Sequence, residues 1–514
     1  MKSKLDKKET QTLNNSLKLI AKSSFVIFIF IVISKILTLL YRVIISGISP
    51  EVYGLFSLAV MISGWVIAFS SLGLSGGIVR YVSYYRGKKQ ENKIKYLIKI
   101  SLITSAISSI LAGLFLFLLA EFISISIFHK PDLMIYLKWF SIIIPLTIFN
   151  GIFLSTIQAF EKIKTYSFLR NVLDNLIKVI TIGLLLFFGL KQNSVIFSYI
   201  SGMIVLLIIS FYINKNLLNK IKNNNLNNKE KNNIKKELFF YSWPLIFTGL
   251  VAFIFSWIDL FAIGYFIEDV SAVGIYSAAV PLAALMAIAP GLFVQLFFPL
   301  ITKEFAKKDK KVINEMSKQI GKWILILNLP FLILIILFPG AIINLFFKPE
   351  YLAAAQSLIF LSIGMFFYSI FIVSENLLSM AGKTKIVLLN IIIASIINLI
   401  LNFLLVPKYG INGASFATMI TYISWSFLSL IQAKYHTKVI PIKSKMFLII
   451  LISLIPTLIL IYINKFIPSN IITLSLQTSL FLLTYLFLVI ITKALDKNDL
   501  IVIHAIKSKI SQTI

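Results

Sequence analysis

The stretch YRVIISGISPEVYGLFSLAVMISGWVIAFSSLGLSGGIVRYVSYYRGKKQ, residues 41–90, decides the fold. It carries Arg42 near the end of one apolar run, then turns at Pro50-Glu51-Val52-Tyr53-Gly54. A second apolar run follows, long enough to cross a bilayer. After it come a glycine-rich bend at Gly73, Gly76 and Gly77 and a basic exit with Arg80 and Arg86. Two crossings meeting at a short loop are the pattern of a polytopic, all-α membrane protein.

Composition agrees over the whole chain. Of 514 residues, 58% are hydrophobic and 13% charged, with a mean hydropathy of +0.92, more apolar surface than a soluble core of this size could hide. A net charge of +29 would point to nucleic acid in a soluble chain. Here the lysines lie between runs of spanning length, so the basic balance reads as loops obeying the positive-inside rule, with membrane lipids rather than nucleic acid as partners. The absence of cysteine excludes disulfides, thiolate metal sites and a cysteine nucleophile. His129, His436 and His504 are too scattered for an imidazole metal cluster, and the glycine-rich bend lacks the Lys-Ser/Thr of a phosphate loop. No cofactor is expected. The basic segment 1–22 runs into a full span without a small-residue cleavage site, which reads as an uncleaved cytoplasmic tail.

Apolar segments of spanning length lie near 24–45, 53–78, 97–120, 133–157, 167–189 and 194–213. Past a polar Asn/Lys-rich stretch, six more lie near 239–266, 272–299, 320–343, 353–380, 384–406 and 411–432, and two near 446–463 and 471–492. The expectation is fourteen transmembrane helices. Charge tests it, because a missed span would scramble which loops are basic. Even-numbered loops and both tails hold 40 of the 49 Lys and Arg; odd-numbered loops and their borders hold Lys130, Lys138, Lys191, Lys348, Lys408 and Lys465. Both termini are therefore expected in the cytoplasm, and the chain in the cell membrane.

A repeat divides the chain. VYGLFSLA at 52–59 returns as AVGIYSAA at 272–279, an offset of 220, and Lys162-Ile163-Lys164 returns as Lys383-Thr384-Lys385, an offset of 221. Six spans per unit give both copies the same orientation, so the repeats are parallel. The expected units are a six-helix bundle over 1–213, a cytoplasmic linker at 214–237, a second bundle over 238–433, and two further helices with a tail over 434–514.

These residues resemble the polysaccharide-biosynthesis flippases, the Wzx-type branch of the superfamily that also holds lipid II flippases and multidrug/toxin extruders. The carriers are the Pro-x-x-Tyr-Gly turn at Pro50–Gly54, the Leu72-Gly73-Leu74 bend leading to Arg80, and Gly410, Gly413 and Ala414 opening the twelfth helix. The resemblance implies two six-helix bundles in a V around a central cavity with two helices appended. It also implies alternating access that carries a lipid-linked oligosaccharide to the outer leaflet. A lipid II-type flippase and a multidrug/toxin antiporter are the alternatives within the same architecture.

Ionisable groups inside spans are costly and mark functional candidates. Lys35 and Arg42 are seven apart, on nearly one helix face, and suit the phosphates of a polyprenyl-diphosphate sugar. Arginine occurs only at 42, 80, 86 and 170, which points to Arg80 as a further planar donor to substrate. Arg170, Asp174 and Lys178 stand at spacings of four, a ladder in which Asp174 can hold Lys178 toward substrate. Asp259 and Glu375-Asn376 place carboxylates in the second bundle, either as Na⁺ or H⁺ coupling sites or as counter-ions to Lys35 and Arg42. Asn390, Asn398 and Asn402 read as interhelical hydrogen-bond partners. A membrane enzyme would need a large outer loop or a clustered acid/base set; outer loops of a few residues count against catalysis.

Overall fold

The computed structural model describes residues 26–221, 226–293, 301, 310–466, 471–492 and 494–495. The basic N-terminal tail, residues 222–225, the lysines of 302–309 and the C-terminal tail with His504 lie outside them. Every regular element among the described residues is helical.

Helix α1, Val26–Ser46, leads into α2, Pro50–Ser70. Ser49 caps α2 by accepting from the Val52 amide at 3.2 Å, and Pro50 takes the first turn, where its missing N–H costs nothing. Leu72 and Gly73 then adopt left-handed backbone, φ 52 and 64, and the chain restarts as α3, Leu74–Gly87. The glycine-rich bend of the sequence is thus a real break. A Cβ on Gly73 would also stand 2.3 Å from the Ser242 carbonyl oxygen, so glycine is required twice over.

Next come α4, Glu91–Glu121, prolonged by a π-turn to Ile127, and α5, Leu133–Ala159. They pack through small residues: Ser101, Ser105 and Ser109 are buried, and Gly113 leaves room for the Ser141 carbonyl. The fifth expected span is interrupted. It comprises α6, Ile163–Phe168, a π-turn at Leu169–Leu173, and α7, Asp174–Phe187. Helix α8 is Asn193–Asn219 and α9 is Asn228–Phe266. Helix therefore extends into the stretch that composition marks as linker. An Asn227–Glu230 capping box starts α9, and Ile234 and Leu238 bury against Ile78, Val82 and Tyr85 of α3.

Helix α10, Ser271–Ala283, runs on through a tighter turn at Ala284–Ala287. It is followed by α11, Lys310–Leu337, α12, Pro339–Phe346, and α13, Ala355–Met380. The next 54 residues, α14 Thr384–Thr437, are a hairpin: Gly410 has φ 57 and ψ −137, and Asn390 exchanges side-chain hydrogen bonds with Gln432 across it at 2.6 and 2.9 Å. Helices α15, Ser444–Phe466, and α16, Ile471–Ile491, are the last two among the described residues; Tyr485 donates to the Ile326 carbonyl of α11 at 3.1 Å. Twelve helices among the described residues are long and apolar enough to cross a membrane, against fourteen expected. The difference arises at the hairpin, whose two arms joined at Gly410 count once in that number, and at the interrupted fifth span.

The two copies of the repeat face each other. Helices α2 and α10 cross so closely that a Cβ on Gly54 would stand 2.2 Å from the Val270 carbonyl oxygen, and one on Gly274 would stand 2.0 Å from that of Pro50. The glycines shared at offset 220 are thus the contact itself. Gly274→Ala must force these backbones apart and is expected to lower the apparent Tm of the purified protein, by about 1–3 kcal/mol of stability. Gly183→Ala, whose Cβ would meet nothing within 4 Å, is the control expected to leave Tm unchanged or higher. A Gly274→Ala protein as stable as wild type would contradict the packing.

Candidate functional site: a cavity between the repeats

A cavity of about 280 Å³ lies where the repeats meet, lined by Arg42 of α1, Ser57 of α2, Trp257 and Asp259 of α9, Tyr276 of α10 and Thr418 of α14. The first helix presents three faces. Phe30, Ser34 and Tyr41 pack toward the fifth and sixth spans: Phe30 against Phe168, Ser34 against Asn175, and Tyr41 against Ser198. Ile29, Ile36 and Leu40 form the exposed apolar face. Lys35 and Arg42 fall between these faces, about 130° round from the apolar one at 100° per residue. Lys35 is exposed on the side that carries Arg42 into the cavity.

Asp259 is held by neutral donors. Thr418 donates at 2.7 Å, Asn402 Nδ2 donates at 3.0 Å, and the Tyr276 hydroxyl donates to Oδ2. Asn398 braces Thr418 at 2.9 Å. The Oδ1 oxygens of Asn398 and Asn402 are buried without a partner. One carboxylate, a hydroxyl and two orphaned amide oxygens form a hard-oxygen set suited to a small cation. The counter-ion role for Asp259 is not what the geometry shows: Lys35 and Arg42 make no ion pair with it among the described residues, because side-chain donors of its own half occupy it.

The ladder on the fifth span is broken. Lys178 Nζ meets Asp174 Oδ2 at 2.7 Å, with side chains 6% and 14% exposed, and lies 3.8 Å from the centre of the Tyr199 ring. Arg170 bonds to Tyr166 instead and is exposed. It sits inside the π-turn, which rotates it off the face of Asp174. Glu375 and Asn376 do not join Asp259: Glu375 makes no ion pair among the described residues, and Asn376 donates to the Ile372 carbonyl of its own helix at 2.8 Å. Arg80 is also outside the cavity, 4.2 Å over the Tyr241 ring.

That last contact belongs to a closure at the lysine-rich end. Tyr85 of α3 donates to Glu237 of α9 at 2.9 Å; burial and the Glu237 carboxylate push its phenol above the ordinary value, so it stays a donor. The opposite end closes through Lys130. Its ammonium is buried and donates to the carbonyls of Phe128, Gly264 and Ile267 at 3.0, 2.6 and 2.9 Å, capping the C-terminus of α9 where the dipole favours a cation. Burial pulls its pKa down, and Asp269 and Glu268 oppose the shift. Tyr53 adds a bond to the Ser277 carbonyl at 2.8 Å. The sequence reading missed Thr418, Tyr276 and Lys130. Lys130 was visible only as one of the few lysines in an odd-numbered loop.

A sequence model described as polysaccharide biosynthesis protein matches residues 20–305, and one described as MatE matches residues 244–404. An uncharacterized membrane protein of Methanocaldococcus jannaschii is 26% identical over 85% of this chain and 88% of its own length. A putative O-antigen transporter of Shigella flexneri is 22% identical over 75% and 89%, and the lipid II flippase MurJ of Bacillus subtilis 24% identical over 81% and 82%. Among solved structures, a lipid II flippase MurJ in an inward closed conformation superposes with a TM-score of 0.72 at 23% identity, covering 93% of this chain and 100% of that one. An inward-facing multidrug resistance MATE family transporter gives 0.65 at 14% identity over 79% and 94%. At such identities these likenesses show the fold.

Lys130→Met would strip α9 of its cap and loosen the end it closes. In this cysteine-free chain, a single cysteine at Ser277, 2% exposed, is expected to react with a thiol reagent several-fold faster in the Lys130→Met background. An equal rate would show that Lys130 does not hold this end shut.

Proposed function

Because the chain belongs to the polysaccharide biosynthesis protein family, whose model covers residues 20–305, we propose that it is a flippase, not an enzyme, moving a lipid-linked oligosaccharide across the bilayer by alternating access. The observation that carries this reading is the cavity: it opens onto Arg42 from one repeat and Asp259 from the other. A polyprenyl diphosphate bears its negative charge where lipid meets glycan, and Arg42 with Lys35 supplies planar and point donors for those oxygens. Lys178 is neutralised by Asp174, and Arg80 stacks at the lysine-rich end, so both act on substrate less directly than Lys35 and Arg42.

Flipping needs each closure to open in turn. The repeats, over 1–213 and 238–433, rock as units while the α2–α10 crossing at one end and the α3–α9 contact at the other alternate. Asp259 and its amide and hydroxyl neighbours hold Na⁺ or a proton and couple the rocking to an ion gradient. The 40 lysines and arginines of the tails and even-numbered loops support a cell-membrane protein with both termini in the cytoplasm. The MatE match and the lone carboxylate in the cavity favour one second reading, a multidrug/toxin antiporter. Deleting the chain separates the two: a flippase leaves a lipid-linked sugar accumulating on the cytoplasmic side, and an antiporter leaves none.

Lys35→Ala and Arg42→Ala are each expected to abolish export of the lipid-linked sugar at normal protein levels; near-normal export in both removes the pair from the site. Asp259→Asn is expected to abolish the dependence of export on the ion gradient. Wild-type export that survives collapse of both the proton and the sodium gradients argues against coupling.

A further inference from the structure

Four tyrosines meet at the lysine-rich end: Tyr81, Tyr84 and Tyr85 of α3 and Tyr241 of α9. The Tyr81 ring centre stands 6.5, 6.2 and 5.9 Å from those of Tyr84, Tyr85 and Tyr241, and Tyr84 stands 5.6 Å from Tyr85. Three cations lie over this set. Arg80 is 4.2 Å from the centre of the Tyr241 ring and 5.7 Å from that of Tyr81, Lys88 is 4.5 Å from Tyr84, and Lys93 is 5.7 Å from Tyr85. One carboxylate joins them, Glu237, which accepts from Tyr85.

Arg80, Lys88 and Lys93 form no ion pair among the described residues. Arg86 differs: it donates to the Ala159 carbonyl at 2.7 Å and stands 3.7 Å from Glu161. Arg80 is exposed, so stacking fixes its plane and leaves its N–H edges open. The set also straddles the seam between the repeats, where Gly73 and Gly77 of α3 admit Ser242 of α9. Beside Tyr241 in sequence, Phe240 and Trp243 are 80% and 57% exposed. Exposed aromatic rings at a basic end mark the depth of lipid headgroups.

We propose that this platform is a docking site for the diphosphate of a lipid carrier in the cytoplasmic leaflet, with Arg80 as its bidentate donor and Lys88 and Lys93 adding charge. The inference rests on the flippase reading. A guanidinium already ordered by two rings loses little freedom when the phosphate arrives. Arg80 does not line the cavity, so the headgroup meets it first and reaches Arg42 only after the α3–α9 contact opens.

Binding of labelled farnesyl diphosphate to the full chain in phosphatidylcholine nanodiscs tests it. Lys35→Ala/Arg42→Ala, which disables the cavity, is expected to keep binding the probe. Adding Arg80→Gln to that background is expected to weaken binding about tenfold or more, and adding Lys88→Gln to weaken it less. Both side chains are exposed, so each variant is expected to fold, and either one alone carries the test. Tyr241→Leu is expected to weaken binding and Tyr241→Phe, which keeps the ring, to preserve it. Unchanged binding on adding Arg80→Gln overturns the proposal. So does competition by inorganic pyrophosphate, or by phosphatidylglycerol in the nanodisc, as strong as that of unlabelled farnesyl diphosphate, since the site would then take a free anion or any anionic lipid. No binding by Lys35→Ala/Arg42→Ala, with binding by wild type, overturns the platform and leaves the flippase reading standing. No binding by wild type overturns both.

Discussion

Two backbones in near contact, at Gly54 and Gly274, set the arrangement of everything else. Lipid offers no hydrophobic drive for helices to associate, so close packing must come from small residues that admit neighbouring backbones. Here each repeat offers the same glycine to the same turn of its counterpart, Val270 and Pro50 carbonyls filling the space of the missing Cβ atoms. Fixing that crossing at one end leaves α1, α9, α10 and the α14 hairpin to diverge from it. Their side chains, Arg42, Asp259, Tyr276 and Thr418 among them, then line one space.

Much of this architecture was legible in the chain. Span lengths, the alternation of basic loops and the echo at offset 220 all follow from apolar run length and side-chain identity, which act locally. The hairpin could be read from Gly410 and Gly413, since a Cβ on Gly413 would fall 2.4 Å from the Leu405 carbonyl oxygen. What escaped were departures from regular helix. The π-turn at Leu169–Leu173 has no composition of its own, yet it turns Arg170 away from Asp174 and breaks a ladder that spacings of four would otherwise close. The helical start at Asn228 is hidden in an Asn/Lys-rich stretch because a capping box needs only two polar residues, Asn227 and Glu230.

The site was legible in part for a similar reason. A charge inside a span announces itself by its cost, so Lys35, Arg42, Lys178 and Asp259 stood out. Their partners did not. Thr418 and Tyr276 are ordinary residues in a span until the fold brings them to one carboxylate from α14 and α10. Asn398 and Asn402 looked like glue between helices, and they are glue: Asn398 bonds Thr418 across the hairpin at 2.9 Å, and Asn402 bonds Asp259 of α9 at 3.0 Å. Only the two oxygens left unpaired distinguish them from structural amides.

On the proposed reading, opposite repeats bring opposite charges to one cavity. Arg42 and Asp259 both line it, yet they form no ion pair with each other among the described residues, so each keeps its own pole. A phosphate suits the first and a cation the second. Ligands of opposite sign are thereby held by different repeats within one space. The paired Asp174 and Lys178 neutralise each other and add no pole, so the ion-responsive one lies in the second repeat alone.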